Sequence, residues 1–314
     1  MLPLYATMKP TIKKSQLKTL MLPIAMVSGA VFAPWMQYLT FLSPYLIFVM
    51  LFITYCKLKI SDFKPNKFEV TLLIAQILLA GIAYGLTFFW NRTLAEGLFI
   101  CFFIPTATAA PVITAMLGGS ISKVATYSLL CNAVVAVAGP LVFAAIGEHS
   151  EMTFLESFRL ILSRVFPLIL MPLAVALILR YTLPKVHSKI VGMQQLSFYL
   201  WAVALFIVVG SCVSFAINNW TPSSTPTIIL LALGALVACL VQFKLGRIIG
   251  GKFGDKVAGG QGLGQKNTVL AVWLALAYLN PLASLAPASY VAWQNIINSW
   301  QLMRHQARTA VKKI

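Results

Sequence analysis

Apolar residues in this chain come in long runs with short polar segments between them, not in the alternation of a strand or the stripe of a soluble helix. Runs of this length suit helices that cross a hydrocarbon core of roughly 30 Å with some tilt. The pattern predicts about ten spans, over 17–35, 40–56, 68–90, 94–117, 121–146, 157–181, 195–217, 225–247, 258–279 and 284–302. The expected fold class is all-α, a polytopic membrane protein.

Two spans depart from a plain apolar rod. Span four contains Pro105 and Pro111 in the run PTATAAP. Each proline removes a helical hydrogen bond and disfavours α geometry just before it. Span nine opens on Gly259, Gly260, Gly262 and Gly264, a glycine-loosened approach, and carries Lys266 and Asn267 side by side before an apolar rod. Either break alone reads as an ordinary kink of a membrane helix. Together they are the fourth members of two sets of five, and matched interruptions in two halves point to an inverted-repeat transporter with a midplane site. Five spans per half is odd, so the halves are inverted: 1–156 is one five-helix repeat and 157–314 the other. Span four then runs inward and span nine outward, so the two breaks can meet as antiparallel partners.

Composition adds orientation. The 314 residues are 60% hydrophobic and 10% charged, outside the range of soluble domains. The net charge of +17 is divided into small groups between spans, which argues against a nucleic-acid surface and for the positive-inside pattern. Lys57, Lys59, Lys64 and Lys67, then Arg180, Lys185 and Lys189, then Lys244, Arg247, Lys252 and Lys256 all fall on the side of the basic N-terminal arm and the basic tail. The opposite side holds Arg92 and the acids Glu148, Glu151 and Glu156. Both termini are therefore expected in the cytoplasm, in a multi-pass protein of a bacterial inner membrane whose partner is the lipid bilayer. The basic start leads into an apolar run with no small-residue cleavage site, so the first span is expected to be retained.

Lys266 is the residue that most needs an explanation. A charge at membrane depth costs roughly 2.5–3.5 kcal/mol even on the lenient insertion scale, so it marks a functional site by default. Every acid reads as a loop or interface residue, which leaves Lys266 three solutions: an uncharged amine, a hold on carbonyls and half-helix C-termini, or an anionic substrate. Thr106 and Thr108 place hydroxyls beside the freed backbone of the first break, either to satisfy it or to touch substrate. Asn267 can donate and accept, and a half-helix N-terminus there favours an anion. Arg159 and Arg164 near the outer end of span six can snorkel to the interface. The five cysteines lack metal spacing, and the three histidines fall in loops or the tail, so neither a zinc site nor a disulfide framework is expected. GGQGLGQKN lacks the ending and the preceding strand of a phosphate loop. With no HExxH, no aspartate-rich pair and no aspartate at membrane depth, an enzyme is not expected.

Two stretches, 105–130 (PTATAAPVITAMLGGSISKVATYSLL) and 262–299 (GLGQKNTVLAVWLALAYLNPLASLAPASYVAWQNIINS), resemble the bile acid:sodium symporter superfamily of ten-span secondary transporters. The resemblance implies a panel of helices 1, 2, 6 and 7 beside a core of helices 3–5 and 8–10, with broken helices 4 and 9 crossing at the substrate. It also implies a small organic anion as substrate and alternating access as the mechanism. The departures fall on the sodium ligands. The family has Glu where this chain has Gly262 and Gln where it has Lys266; a Ser-Asn pair aligns with Ala110-Pro111, and a hydroxyl position with Val124. Asn267 is kept, Ser128 stands near an ion-binding position, and Gln294-Asn295 matches a polar pair facing the substrate cavity. The substrate residues implied are Thr106, Thr108, Pro111, Lys266, Asn267, Gln294 and Asn295; Lys266, Ser128 and Gln265 would bind or replace an ion.

The expected function is secondary transport of a small organic anion with no cofactor, independent of sodium if the Lys266 ammonium occupies a sodium position. Two other readings fit the composition. One is a transport-incompetent receptor or sensor on the same fold. The other is a drug/metabolite exporter of another ten-helix family, which needs neither break.

Overall fold

A computed structural model describes residues 14–57, 64–107, 109–147, 153–218 and 220–311. Helix α1 (Lys14–Val31) and the short α2 (Ala33–Met36) lead through a 3-10 stretch, Gln37–Leu42, into α3 (Ser43–Lys57). Helix α4 (Lys67–Phe88) is followed by a broken pair, α5 (Arg92–Phe103) and α6 (Ala110–Met116), and by α7 (Ile121–Ile146). Next come α8 (Phe154–Thr182), the short α9 (Pro184–Val191), α10 (Gln194–Asn218) and α11 (Thr225–Lys252). A second broken pair, α12 (Lys256–Gly264) and α13 (Thr268–Tyr278), precedes α14 (Leu285–Val311).

The sequence fixes many helix starts locally. Asn66 with Glu69, and Thr153 with Glu156, form capping boxes that satisfy the first orphan amides of α4 and α8. Asn91, Ser120 and Asp255 cap α5, α7 and α12 with side-chain oxygens. Between the caps, six stretches of the described residues are long and apolar enough to cross a membrane: Ala33–Lys57, Lys67–Phe88, Ile121–Ile146, Phe154–Thr182, Tyr199–Asn218 and Pro222–Lys252. They carry apolar residues on their outsides as well, such as Ile74, Leu78 and Leu86 on α4, as helices facing lipid do. The protein is an α-helical membrane protein. The other expected spans differ in kind: four and nine are halved by their breaks, the first begins on lysines, and the last carries a polar face.

Helices α1, α3, α8 and α10 pack on one another, while α11 gathers α5, α12 and α14 and α4 packs on α5; α7 with α8, and α10 with α13, join the two groups. Three expectations need correction. The glycines before Lys266 do not loosen the chain; they lie in a regular half-helix, α12, pressed backbone to backbone on α11. A Cβ on Gly259 would stand 2.7 Å from Gly250 Cα and also meet the Gly246 carbonyl, so only glycine permits that approach. His187 and His305 sit on helices, α9 and the extended end of α14, where the sequence reads as loop and tail. Glu69 and Glu96 lie on helices near their N-terminal ends, not in loops, and are buried against protein: Glu69 closes a capping box, and Glu96 accepts from Arg92 Nε at 3.3 Å and the Asn280 amide at 2.7 Å.

Candidate functional site

The two breaks meet. The Ala107 amide donates to the Gln265 carbonyl at 2.9 Å and the Asn267 amide to the Pro105 carbonyl at 2.9 Å, so Thr106 and Lys266 face each other in a short antiparallel bridge. Extended backbone at this depth is tolerated only where its polar groups find partners within the protein. Here they do so with unusual completeness at the end of α5. The Cys101 carbonyl accepts from Gln242 Nε2 at 3.2 Å, and that of Phe103 from Gln76 Nε2 at 2.6 Å. Lys266 Nζ donates to the carbonyls of Phe102 at 2.9 Å and Ile104 at 3.1 Å, the second shared with Gln76 Nε2.

Lys266 is thus a cap supplied by the opposite break, 1% exposed, on a half-helix C-terminus where the backbone dipole is negative. Of the three solutions open to it, the geometry displays the hold on carbonyls, which is compatible with either of the others. Thr106 answers in kind: its hydroxyl donates to the Gly262 carbonyl of α12 at 2.7 Å, and its amide points at Cys131 Sγ at 3.3 Å. Tyr290 of α14 donates to the Gly264 carbonyl at 2.8 Å. Each broken helix is terminated by side chains from elsewhere, including one from its crossing partner.

A polar ladder leads away from the crossing along α14. Gln294 Oε1 accepts the Lys266 amide at 3.0 Å, and Asn298 Nδ2 donates to Gln265 Oε1 at 2.8 Å. Gln261 Nε2 then links Asn298 Oδ1 at 3.0 Å to Gln301 Oε1 at 3.1 Å, which also accepts from Arg247 at 2.9 Å. Five buried polar atoms of the site's described residues make no hydrogen bond: Gln265 Nε2, Gln294 Nε2, Thr268 Oγ1, Gln242 Oε1 and Gln261 Oε1. Such groups cost about 1–3 kcal/mol each when left unpaired. Two of the five are donors only, Gln265 Nε2 and Gln294 Nε2, and both residues adjoin the Lys266 backbone.

The structure brings together Thr106, Gln265, Lys266, Asn267 and Gln294. Asn267 serves as the N-cap of α13, its Oδ1 accepting from the Leu270 amide at 3.2 Å, so its oxygen is already engaged. Thr108 lies outside the described residues. Pro111 is half-buried in the first turn of α6, where its fixed φ suits a helix start. Ser128 is not drawn to Lys266: its hydroxyl and carbonyl pair with Asn132 within α7. Asn295 bonds the Val291 carbonyl of its own helix at 2.9 Å, so it does not act as a pair with Gln294. Arg164 is exposed, consistent with a side chain that snorkels.

Gln76, Tyr127, Gln242, Gln261, Asn298, Gln301 and Tyr290 were not expected at the site. The last helix gave a signal: Gln294, Asn298 and Gln301 recur at helical spacing, a polar stripe in an otherwise apolar span. Gln76 and Gln242, single amides buried in spans three and eight, were signals of the same kind.

Ala110, Val124 and Gly262, the positions where the resemblance places sodium ligands, carry no side-chain oxygen. Alkali cations are held by oxygens. At Gly262, an added Cβ would lie 3.1 Å from Tyr127 Cδ1 and 3.4 Å from Leu72 Cδ1, so a ring and a leucine fill the space of a longer side chain. Ala110, Val124, Cys131 and Leu263 complete an apolar cluster around them, and the Tyr127 hydroxyl is spent on Gln76 Oε1. No protein-family model matches the chain, and no curated protein is significantly similar to it.

Proposed function

We propose that this protein is a secondary transporter of a small organic anion, of the bile acid:sodium symporter type, in which Lys266 takes the place of a sodium ion. The observation that carries the reading is the set of buried, unpartnered groups, Gln265 Nε2, Gln294 Nε2 and Thr268 Oγ1, gathered around a lysine where two broken helices cross. Donors left open beside an amine and the N-terminus of α13 suit a carboxylate. An open cleft of about 390 Å³ lies beside α10 and the far end of α13, bounded by Gln37, Thr40, Ser211, Phe215, Asn218 and Leu276.

In this reading the ten spans form two inverted five-helix repeats, and panel and core rock about the crossing in the bacterial inner membrane. Half-helices are the parts that such a motion can tilt without breaking a full span. The ammonium of Lys266 holds the end of α5 as a bound cation otherwise would, which makes transport independent of sodium. The exporter reading needs neither break, so the two broken helices support the first reading over it. The receptor reading shares the geometry and differs only in whether an anion crosses.

Substrate counterflow in proteoliposomes tests both points, using a panel of labelled small carboxylates. Counterflow of at least one of them, unchanged when sodium is replaced by choline and reduced about tenfold or more in Lys266→Gln, is the expected result; losing a charge-assisted bond costs about 1.5–3 kcal/mol. Strict dependence on sodium would overturn the substitution of the ion, and absence of counterflow for every carboxylate would favour the receptor.

A further inference from the structure

The cationic end of α11 is not explained by transport. Lys244, Arg247, Lys252 and Lys256 line a groove of about 570 Å³ between α11 and α12, whose floor is Ile248 and Gly251. The nearby acid does not neutralise it. Asp255 accepts from the Ala258 amide through Oδ1 and from the Ser120 amide through Oδ2, both at 2.8 Å, and Lys244, Lys252 and Lys256 form no ion pair among the described residues. Lys256 is turned back onto α11: a Cβ on Gly251 would lie 3.2 Å from Lys256 Cε, so the missing side chain makes room for the lysine stem. Four cationic side chains thus border one groove.

An independent feature runs up the same helix. Ile229, Leu233, Val237 and Leu240 are exposed and recur every three or four residues in register with Lys244, so an apolar stripe ends in the charged groove. An apolar track that finishes in clustered cations has the chemistry of an acyl chain and its anionic head. We propose that the groove binds an anionic phospholipid of the adjoining leaflet with two phosphates in its headgroup, the acyl chains lying along the α11 stripe. Four cations exceed what one phosphate needs. Arg247 also bonds Gln301, and its stem lies against Gly260, so an occupied groove clamps α12 onto α11 beside the polar ladder that ends at Lys266.

This inference rests on membrane embedding and not on transport, and its test involves no transport. The full chain in mild detergent is titrated with cardiolipin, phosphatidylglycerol, phosphatidylcholine or pyrophosphate, and binding is read by native mass spectrometry and thermal shift. Cardiolipin is expected to bind at least tenfold more tightly than phosphatidylcholine. The variant Lys244→Gln/Lys252→Gln/Lys256→Gln should lose on the order of 100-fold, since each lysine near an anionic lipid surface contributes roughly fivefold. If the triple variant does not fold, the three single variants should each lose roughly fivefold. Lys57→Gln/Lys64→Gln/Lys67→Gln, which removes equal charge elsewhere, should bind as the parent does. Equal binding of phosphatidylcholine, or retention of cardiolipin by the groove variants, would overturn the site. Equal binding of phosphatidylglycerol would overturn the two-phosphate headgroup, and full competition by pyrophosphate would make it a site for a soluble anion.

Discussion

Thr106 and Thr268 stand on the two strands of the crossing with the same hydroxyl and opposite circumstances. Thr106 donates to the Gly262 carbonyl at 2.7 Å, whereas the Thr268 hydroxyl, 2% exposed, has no partner. Replacing Thr106 by valine keeps the shape and orphans a buried carbonyl, so Thr106→Val should lose about 1–3 kcal/mol, read as a lower denaturation midpoint in detergent. Thr268→Val removes a group that is already unsatisfied and should be neutral or slightly stabilising. If its hydroxyl serves the substrate, the same variant weakens counterflow while the fold holds. Equal losses from the two variants would show that the hydroxyl inventory of the crossing has been misread. At this scale the sequence revealed which residues gather but not what they bond. Lys266 stood out because a charge in an apolar run is costly, yet its partners are backbone carbonyls of Phe102 and Ile104, which carry no mark in a sequence. Asn295 looked like a companion of Gln294, but adjacent residues on a helix point about 100° apart, and the partner of Gln265 is Asn298, one turn further.

Among the elements, α12 is the one whose sequence and packing are most tightly joined. Gly246 and Gly250 on α11 meet Gly259 and Gly260 on α12, and a Cβ on Gly246 would strike the Gly259 carbonyl and stand 3.0 Å from Gly260 Cα. Backbone cannot yield as a side chain does, so Gly259→Ala should cost about 3 kcal/mol, at the upper end of overpacking. Gly81 on α4 has no neighbour within 4 Å of an added Cβ, and Gly81→Ala should gain up to about 1 kcal/mol from helix propensity. Thermal denaturation of the two variants side by side checks the contrast; a harmless Gly259→Ala would mean that α11 and α12 are not in backbone contact. The apolar runs made most elements legible, to the residue for α7, and the prolines and the lysine located both breaks. The role of the glycines was not legible, because glycine serves equally for loosening a chain and for close approach, and only the neighbour distinguishes the two. Helix α9 was missed because Pro184 to Val191 is too short and too polar to read as a span; none of its side chains is fully buried, and only Ile190 and Val191 pack against the core.

For the molecule as a whole, the distribution of charge gives a direction that the packing of helices alone does not. The basic ends of α3 (Lys57), α11 (Lys244, Arg247 and Lys252) and α14 (Arg304 and Arg308), and the α9 segment, fall on one side if every span crosses, while the α10–α11 turn at Thr221–Ser224 falls on the other. Transferring that basic set across a membrane would work against both insertion and the inside-negative potential, at about 2.3 kcal/mol per charge per 100 mV. The five native cysteines are free and buried, so single added thiols can be probed in the otherwise intact protein. Ser223 and Ser188 are exposed in the α10–α11 turn and on α9. In intact cells an impermeant maleimide should label Ser223→Cys at once and Ser188→Cys only after permeabilisation. The reverse pattern would invert the whole protein and place the cationic groove of α11 in the outer leaflet. Labelling of both positions in intact cells would mean that α10 does not cross, and would remove the odd number of spans per half on which the inverted repeat depends.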